Sequence, residues 1–137
     1  HINAALLEIE LTETAAVSDF DCVKRLFACF QEKNMQTSLD DFGAGYSLLN
    51  SVVDIPINTV KLDRSFLTRC TTNQRGLYFL QEIVNMVKGL GYQVICEGIE
   101  TKDQVDLMRS LGCDAAQGFW FSKAISAEAF EEKYMTD

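Results

Sequence analysis

The chain has no C-x-x-C pair, no basic stripe, no low-complexity segment and no long apolar run in its 137 residues. Each absence removes a class of function. Five scattered cysteines (Cys22, Cys29, Cys70, Cys96, Cys113) without paired spacing argue against a disulfide framework and for a reducing compartment, with buried thiols acting as small hydrophobes. No stretch approaches the roughly 18 apolar residues of a membrane span. The net charge of −8 offers no cationic surface for phosphate backbones, so a nucleic-acid polymer is a poor partner. The expectation is a cytoplasmic domain, whose parent protein has room for a membrane anchor elsewhere.

What is present is alternation. Short apolar runs end in polar groups: Leu6 to Ile9 before Glu10, Thr37 to Leu39 before Asp40-Asp41, and Thr59-Val60 before Lys61. Val94 to Cys96 runs into Glu97, and Asp114 to Ala116 into Gln117. Helical periods separate these runs. Cys22, Val23, Leu26, Phe27 and Phe30 mark a helix from about Phe20 to Lys33, capped by Ser18 or Asp19 and stopped near Asn34. Leu77, Leu80, Ile83, Val84, Val87 and Leu90 mark a longer one from about Gln74, closed by Gly91. Thr101-Lys-Asp-Gln104 is a capping box, Gly112 ends its helix, and a last helix starts at Ser126. A short helix is expected near Ser47 to Val53, and the single proline, Pro56, interrupts the chain before the Thr59 strand.

Strands at Ala5 to Leu11, Thr37 to Asp41, Thr59 to Leu62, Gln93 to Cys96 and Asp114 to Ala116, with helices between, predict an α/β fold with a mainly parallel sheet. A complete β/α barrel needs eight strands and about 250 residues. With five strands, and a start at His1 almost directly on the first, residues 1–137 are expected to be the C-terminal part of a single partial (β/α) TIM-type barrel domain. Chemistry in such barrels sits where the strands end.

Asp40-Asp41-Phe42-Gly43 is the sharpest local signal. Two adjacent carboxylates repel each other unless a cation lies between them, and one can bridge two ions while its neighbour binds one. Glu8 and Glu10 share a strand face, but only Glu10 is near the exit. Glu13, in the following turn, can orient a neighbouring loop. Lys61 is costly on an interior strand unless acids surround it, or else it lies on the outer face paired with Asp63. Glu97 suits a metal ligand and Glu100 a group behind it, while Gln117 can hydrogen-bond phosphate or water.

Taken together, Glu10-Leu-Thr-Glu13, Asp40-Asp-Phe-Gly-Ala-Gly-Tyr-Ser47, Lys61-Leu-Asp-Arg-Ser65, Glu97-Gly-Ile-Glu-Thr101 and Gln117-Gly118 resemble the EAL-domain family. These are phosphodiesterases that cleave the bacterial second messenger cyclic di-GMP. The resemblance implies a two-cation site for Mg2+ or Mn2+, with Glu10, Asp40, Asp41 and Glu97 as ligands. Lys61 would engage the attacking water, Glu100 and Gln117 would support the metal-water shell, and Glu13 would hold the Phe42 to Ser47 loop. The implied product is linear pGpG. The family's Glu-Ala-Leu segment and its Asn-bearing strand are missing and would precede His1. So is a proline, replaced by Ala124. Because both missing segments supply metal ligands, the chain alone is expected to be inactive.

A homodimer in which two copies cover each other's open edges is expected, with sensor or cyclase domains elsewhere in the parent chain. Two other readings stay open. One is a non-catalytic cyclic di-GMP receptor or protein-docking EAL module. The other is a metabolic barrel enzyme using Mg2+ on a phosphorylated sugar, which only Gln117-Gly118 suggests.

Overall fold

The computed structural model describes residues 2–43 and 52–135. Five strands form one parallel sheet in the order β1 (Glu8–Thr12), β2 (Gln36–Phe42), β3 (Thr59–Leu62), β4 (Gln93–Cys96) and β5 (Ala115–Ala116). Spatial order follows chain order, so each strand must return to the same end before pairing with its predecessor. Helices supply most of the return. α1 (Glu13–Ser18) and α2 (Phe20–Glu32) join β1 to β2, and α3 (Arg64–Cys70) and α4 (Gln74–Gly89) join β3 to β4. Between β4 and β5 lies α5 (Lys102–Ser110), and α6 (Ala127–Tyr134) follows β5. The expected helix near Ser47 to Val53 lies almost wholly outside the described residues. Among the described residues β1 and β5 do not pair, and the sheet stays open.

The register divides the sheet into two faces. Leu11, Leu39, Val60 and Val94 are successive partners across four strands, and Leu39, Val60 and Val94 are fully buried beneath the helices. Leu80, Val84 and Val87 of α4 and Phe27 of α2 complete that layer. Side chains one position away point to the opposite face, because strand side chains alternate. There the row Glu10, Ser38 and Thr59 is polar. One face is a hydrophobic core; the other is a polar interior.

Local sequence explains most boundaries. Asp19, not Ser18, caps α2 by accepting the Cys22 N–H at 3.0 Å. Asn34 adopts φ 59°, the left-handed turn that stops the helix. The Thr101/Gln104 capping box forms as the spacing predicts. Ser126 caps α6.

Several expectations need correcting. The first strand begins at Glu8 rather than Ala5, because Asn3 accepts the Ala5 N–H and winds Ala4–Leu6 into a 3-10 turn. Glu13 opens α1 instead of lying in a plain turn. On α2 only Val23 and Phe27 are buried, while Cys22 and Leu26 face outward. Cys22 and Cys29 are exposed, so not every thiol is a core hydrophobe. Helix α3 had no counterpart in the periodicity. Asp63 creates it by accepting the Ser65 N–H at 2.7 Å, directly after β3. No described helix is long and apolar enough to cross a membrane.

Candidate active site

The carboxyl ends of the strands bring the sequence-singled residues onto one rim. Lys61 lies within β3 and is 6% exposed, a position that a lone ammonium could not occupy cheaply. Its Nζ lies 2.6 Å from Glu10 Oε1 on β1 and 3.0 Å from Glu97 Oε1 just after β4. The outer-face alternative, with Lys61 paired to Asp63, is therefore wrong: Lys61 faces the polar interior. Burial alone would lower its pKa. The hydrogen bonds to Glu10 and Glu97 overcome that, holding the ammonium above its ordinary value and fully protonated at neutral pH. A positive charge thus already joins two acids from strands on either side.

Asp40 and Asp41 sit at a β-bulge. Leu39 pairs with Val60 and Phe42 with Leu62, leaving β2 one residue longer than β3 over this stretch. Asp41 takes φ 58°, and its N–H donates to Asp40 Oδ1 at 2.9 Å. The bulge breaks the alternation that would otherwise set neighbouring side chains on opposite faces. Burial, then the charges of Asp40, Asp63 and Glu13, raise the Asp41 carboxyl above the ordinary carboxylate range, with Lys61 opposing. This corner holds more negative charge than its cations neutralise.

Glu13 reaches across to the bulge. Its Oε2 accepts the Gly43 N–H at 3.1 Å, so the start of the Phe42 loop is tied to α1. The remainder of that loop, residues 44–51, lies outside the described residues. Glu100 is exposed and held by Arg64 of α3, with Nη1 2.7 Å from Oε1 and Nη2 3.0 Å from Oε2. Gly98 makes room for that fork: it has φ 69°, and a Cβ there would stand 2.5 Å from the Arg64 Cβ. Gln117 follows β5, is exposed, and uses its backbone N–H to bond Cys96 O at 2.8 Å. Lys61, Glu10 and Glu97 form one contact group; Glu100 and Gln117 flank it without direct contact to Lys61.

Three further residues were given no role by the sequence. Arg69 donates to Gly43 O at 2.5 Å, so both the N–H and the carbonyl of Gly43 are held by side chains. Arg64 fixes Glu100. Ser38, fully buried on the same face as Glu10, has an Oγ without a partner among the described residues. The Arg69 and Arg64 contacts join segments far apart in the chain.

The donor chemistry suits a hard divalent cation, since every candidate ligand is a carboxylate. The cationic Lys61 nitrogen between Glu10 and Glu97 shows that this pair accommodates positive charge. Among the described residues no three such groups stand close enough to enclose a metal by themselves.

Comparison with known proteins places this geometry. The EAL domain family model matches residues 1–124. Cyclic di-GMP phosphodiesterase NbdA of Pseudomonas aeruginosa is 36% identical over 129 residues, which cover 94% of this chain and 16% of that protein. The chain spans a similarly small share of the other curated relatives it matches. The structure of the PaMucR phosphodiesterase in complex with c-di-GMP overlays with a TM-score of 0.86 at 29% identity, covering 94% of this chain and 52% of that one. A Klebsiella pneumoniae BlrP1 structure, a manganese and cyclic di-GMP complex, overlays with a TM-score of 0.81 at 28% identity, over 89% of this chain and 31% of that one. The open parallel sheet with its flanking helices is therefore the partial barrel architecture expected from the sequence, and the chain belongs to the EAL domain family.

Proposed function

We propose that the intact domain containing this chain is a metal-dependent phosphodiesterase that hydrolyses cyclic di-GMP to linear pGpG. One observation carries the reading: Lys61 lies between Glu10 and Glu97 at the carboxyl rim, beside the Asp40–Asp41 bulge, in an EAL-family chain. Residues 1–137 are read as the C-terminal part of that domain and as inactive alone, since they lack the family's Glu-Ala-Leu segment and Asn-bearing strand.

Glu10, Asp40, Asp41 and Glu97 would hold two divalent cations, Mg2+ or Mn2+, which when bound activate the attacking water and neutralise charge at the phosphate. Lys61 would give up part of its contact with Glu10 and Glu97 and turn an N–H toward the attacking water, fixing its line of approach. Glu100, immobilised by Arg64, would accept hydrogen bonds from the surrounding water shell, and Gln117, held by the turn after β5, would both accept and donate them. Glu13 would keep the bulge in place through Gly43. The five free cysteines suit a cytoplasmic setting.

The test is conversion of cyclic di-GMP to pGpG with Mn2+, on this chain and on one carrying a complete EAL domain. Turnover confined to the longer protein, and reduced about 100-fold or more by Asp40→Asn, is the expected result. Binding without turnover in the longer protein would move the assignment to a cyclic di-GMP receptor.

Self-association belongs to the same proposal. Among the described residues both sheet edges are open, and Leu6 near β1 and Phe119 beyond β5 are 79% and 63% exposed. Light scattering is expected to give twice the 15.4 kDa chain mass. A concentration-independent monomer would remove the dimer from the reading.

A further inference from the structure

Cys96 and Cys113 are unbonded thiols whose sulfurs lie 3.3 Å apart, 17 residues apart in sequence. Cys96 is fully buried at the end of β4, on the helix-covered face. Cys113 stands in the turn between α5 and β5 and is partly accessible. It lines a cavity of about 200 Å3 with Val105, Met108, Arg109 and Phe121. One sulfur can therefore be reached from solvent, and the second waits behind it. A disulfide needs sulfurs about 2 Å apart, so closure asks the two sulfurs to approach by little more than 1 Å, with Cys113 carried by a turn. Core packing alone does not require two thiols in this arrangement.

We propose that Cys96 and Cys113 form a reversible dithiol–disulfide pair whose oxidant is a low-molecular-weight disulfide entering through this cavity. Cys113 attacks one sulfur of the oxidant, forming a mixed disulfide and releasing one thiolate. Cys96 then attacks the Cys113 sulfur, its proton passing to solvent, and a second thiolate leaves. The protein loses two hydrogens and the oxidant becomes two thiols, so atoms and electrons balance. Cys96 donates its S–H to Cys113, which favours the thiolate at Cys113 and agrees with its role as the attacking sulfur. The exposed Cys22 and Cys29, seven residues apart on α2, serve as internal controls for thiol access.

The experiment treats the native chain with oxidised glutathione, quenches in acid, alkylates free thiols and digests with trypsin without reduction. Cys96 falls in the peptide Gly89–Lys102 and Cys113 in Ser110–Lys123, apart from the other cysteines. The expected product is these two peptides joined, about 2 Da lighter than their thiol forms together, and about ten-fold more abundant than any other cross-link. Dithiothreitol should remove it. Cys96→Ser should instead accumulate glutathione on Cys113. Glutathione on Cys22 and Cys29 without the Cys96–Cys113 link would overturn the proposal. So would a link formed only in urea, or a Cys113 that stays unmodified in Cys96→Ser.

Discussion

Lys61→Met is expected to lower the free energy of unfolding by about 2 kcal/mol at pH 7. Methionine fills nearly the same volume, so the loss isolates the charge. Two carboxylate oxygens, from Glu10 and Glu97, both lie within 3.0 Å of one nitrogen. Without that nitrogen they face each other unpaired. Removing one partner of a fully buried pair costs about 3–5 kcal/mol. The Glu10 side chain is 47% exposed and Glu97 23%, so water relieves part of the penalty and brings the expected loss down to about 2 kcal/mol. Neutralising one of the two carboxylates should relieve the deficit, so Glu10→Gln added to Lys61→Met should recover part of the loss, and urea unfolding at pH 7 of the single and double variants checks this. An unchanged midpoint at pH 7 would mean that Lys61 does not neutralise the rim.

That contact also marks how far the sequence could be read. Elements whose cause is local were legible: the capping box at Thr101 and Gln104, the buried stripe of Leu80, Ile83, Val84 and Val87 on α4, and the limits of β3 and β4 all emerge as spaced, although Leu90 caps that helix and is exposed. Helix α3 was not, because seven residues give too little periodicity and its start rests on one Asp63 cap. The Ala4–Leu6 turn was misread because Ala-Ala-Leu-Leu is apolar in either conformation, and Asn3 decides between them. At the rim, the residue types were visible but their partners were not. Lys61 and Glu10 are 51 positions apart, and only strand register sets them side by side. The bulge at Asp40 and Asp41 was equally hidden, since pairing with β3, not the Asp-Asp sequence, reveals the extra residue.

Gly118→Ala carries the other large effect, because it strikes backbone rather than a side chain. An added Cβ would stand 2.1 Å from Ile99 O and 2.2 Å from Ile99 N, closer than any rotamer change can relieve. The two strands are clasped at this point. Ile99 N–H donates to Gln117 O at 3.0 Å, and Trp120 N–H donates to Ile99 O at 2.9 Å. Relieving the clash means opening that clasp, which carries Glu100 on one side and Gln117 on the other. A loss of about 3 kcal/mol is expected, at the upper end of overpacking effects because the obstacle is main chain. Gly89 supplies the contrast. It ends α4 with nothing within 4 Å of the added carbon, so Gly89→Ala should leave stability unchanged or raise it by about 0.5–1 kcal/mol. Thermal or urea unfolding of the two variants side by side separates a general glycine effect from the clasp. If Gly118→Ala matched Gly89→Ala, the approach of the two strand exits would be loose. Arg64 would then be left as the main restraint on Glu100.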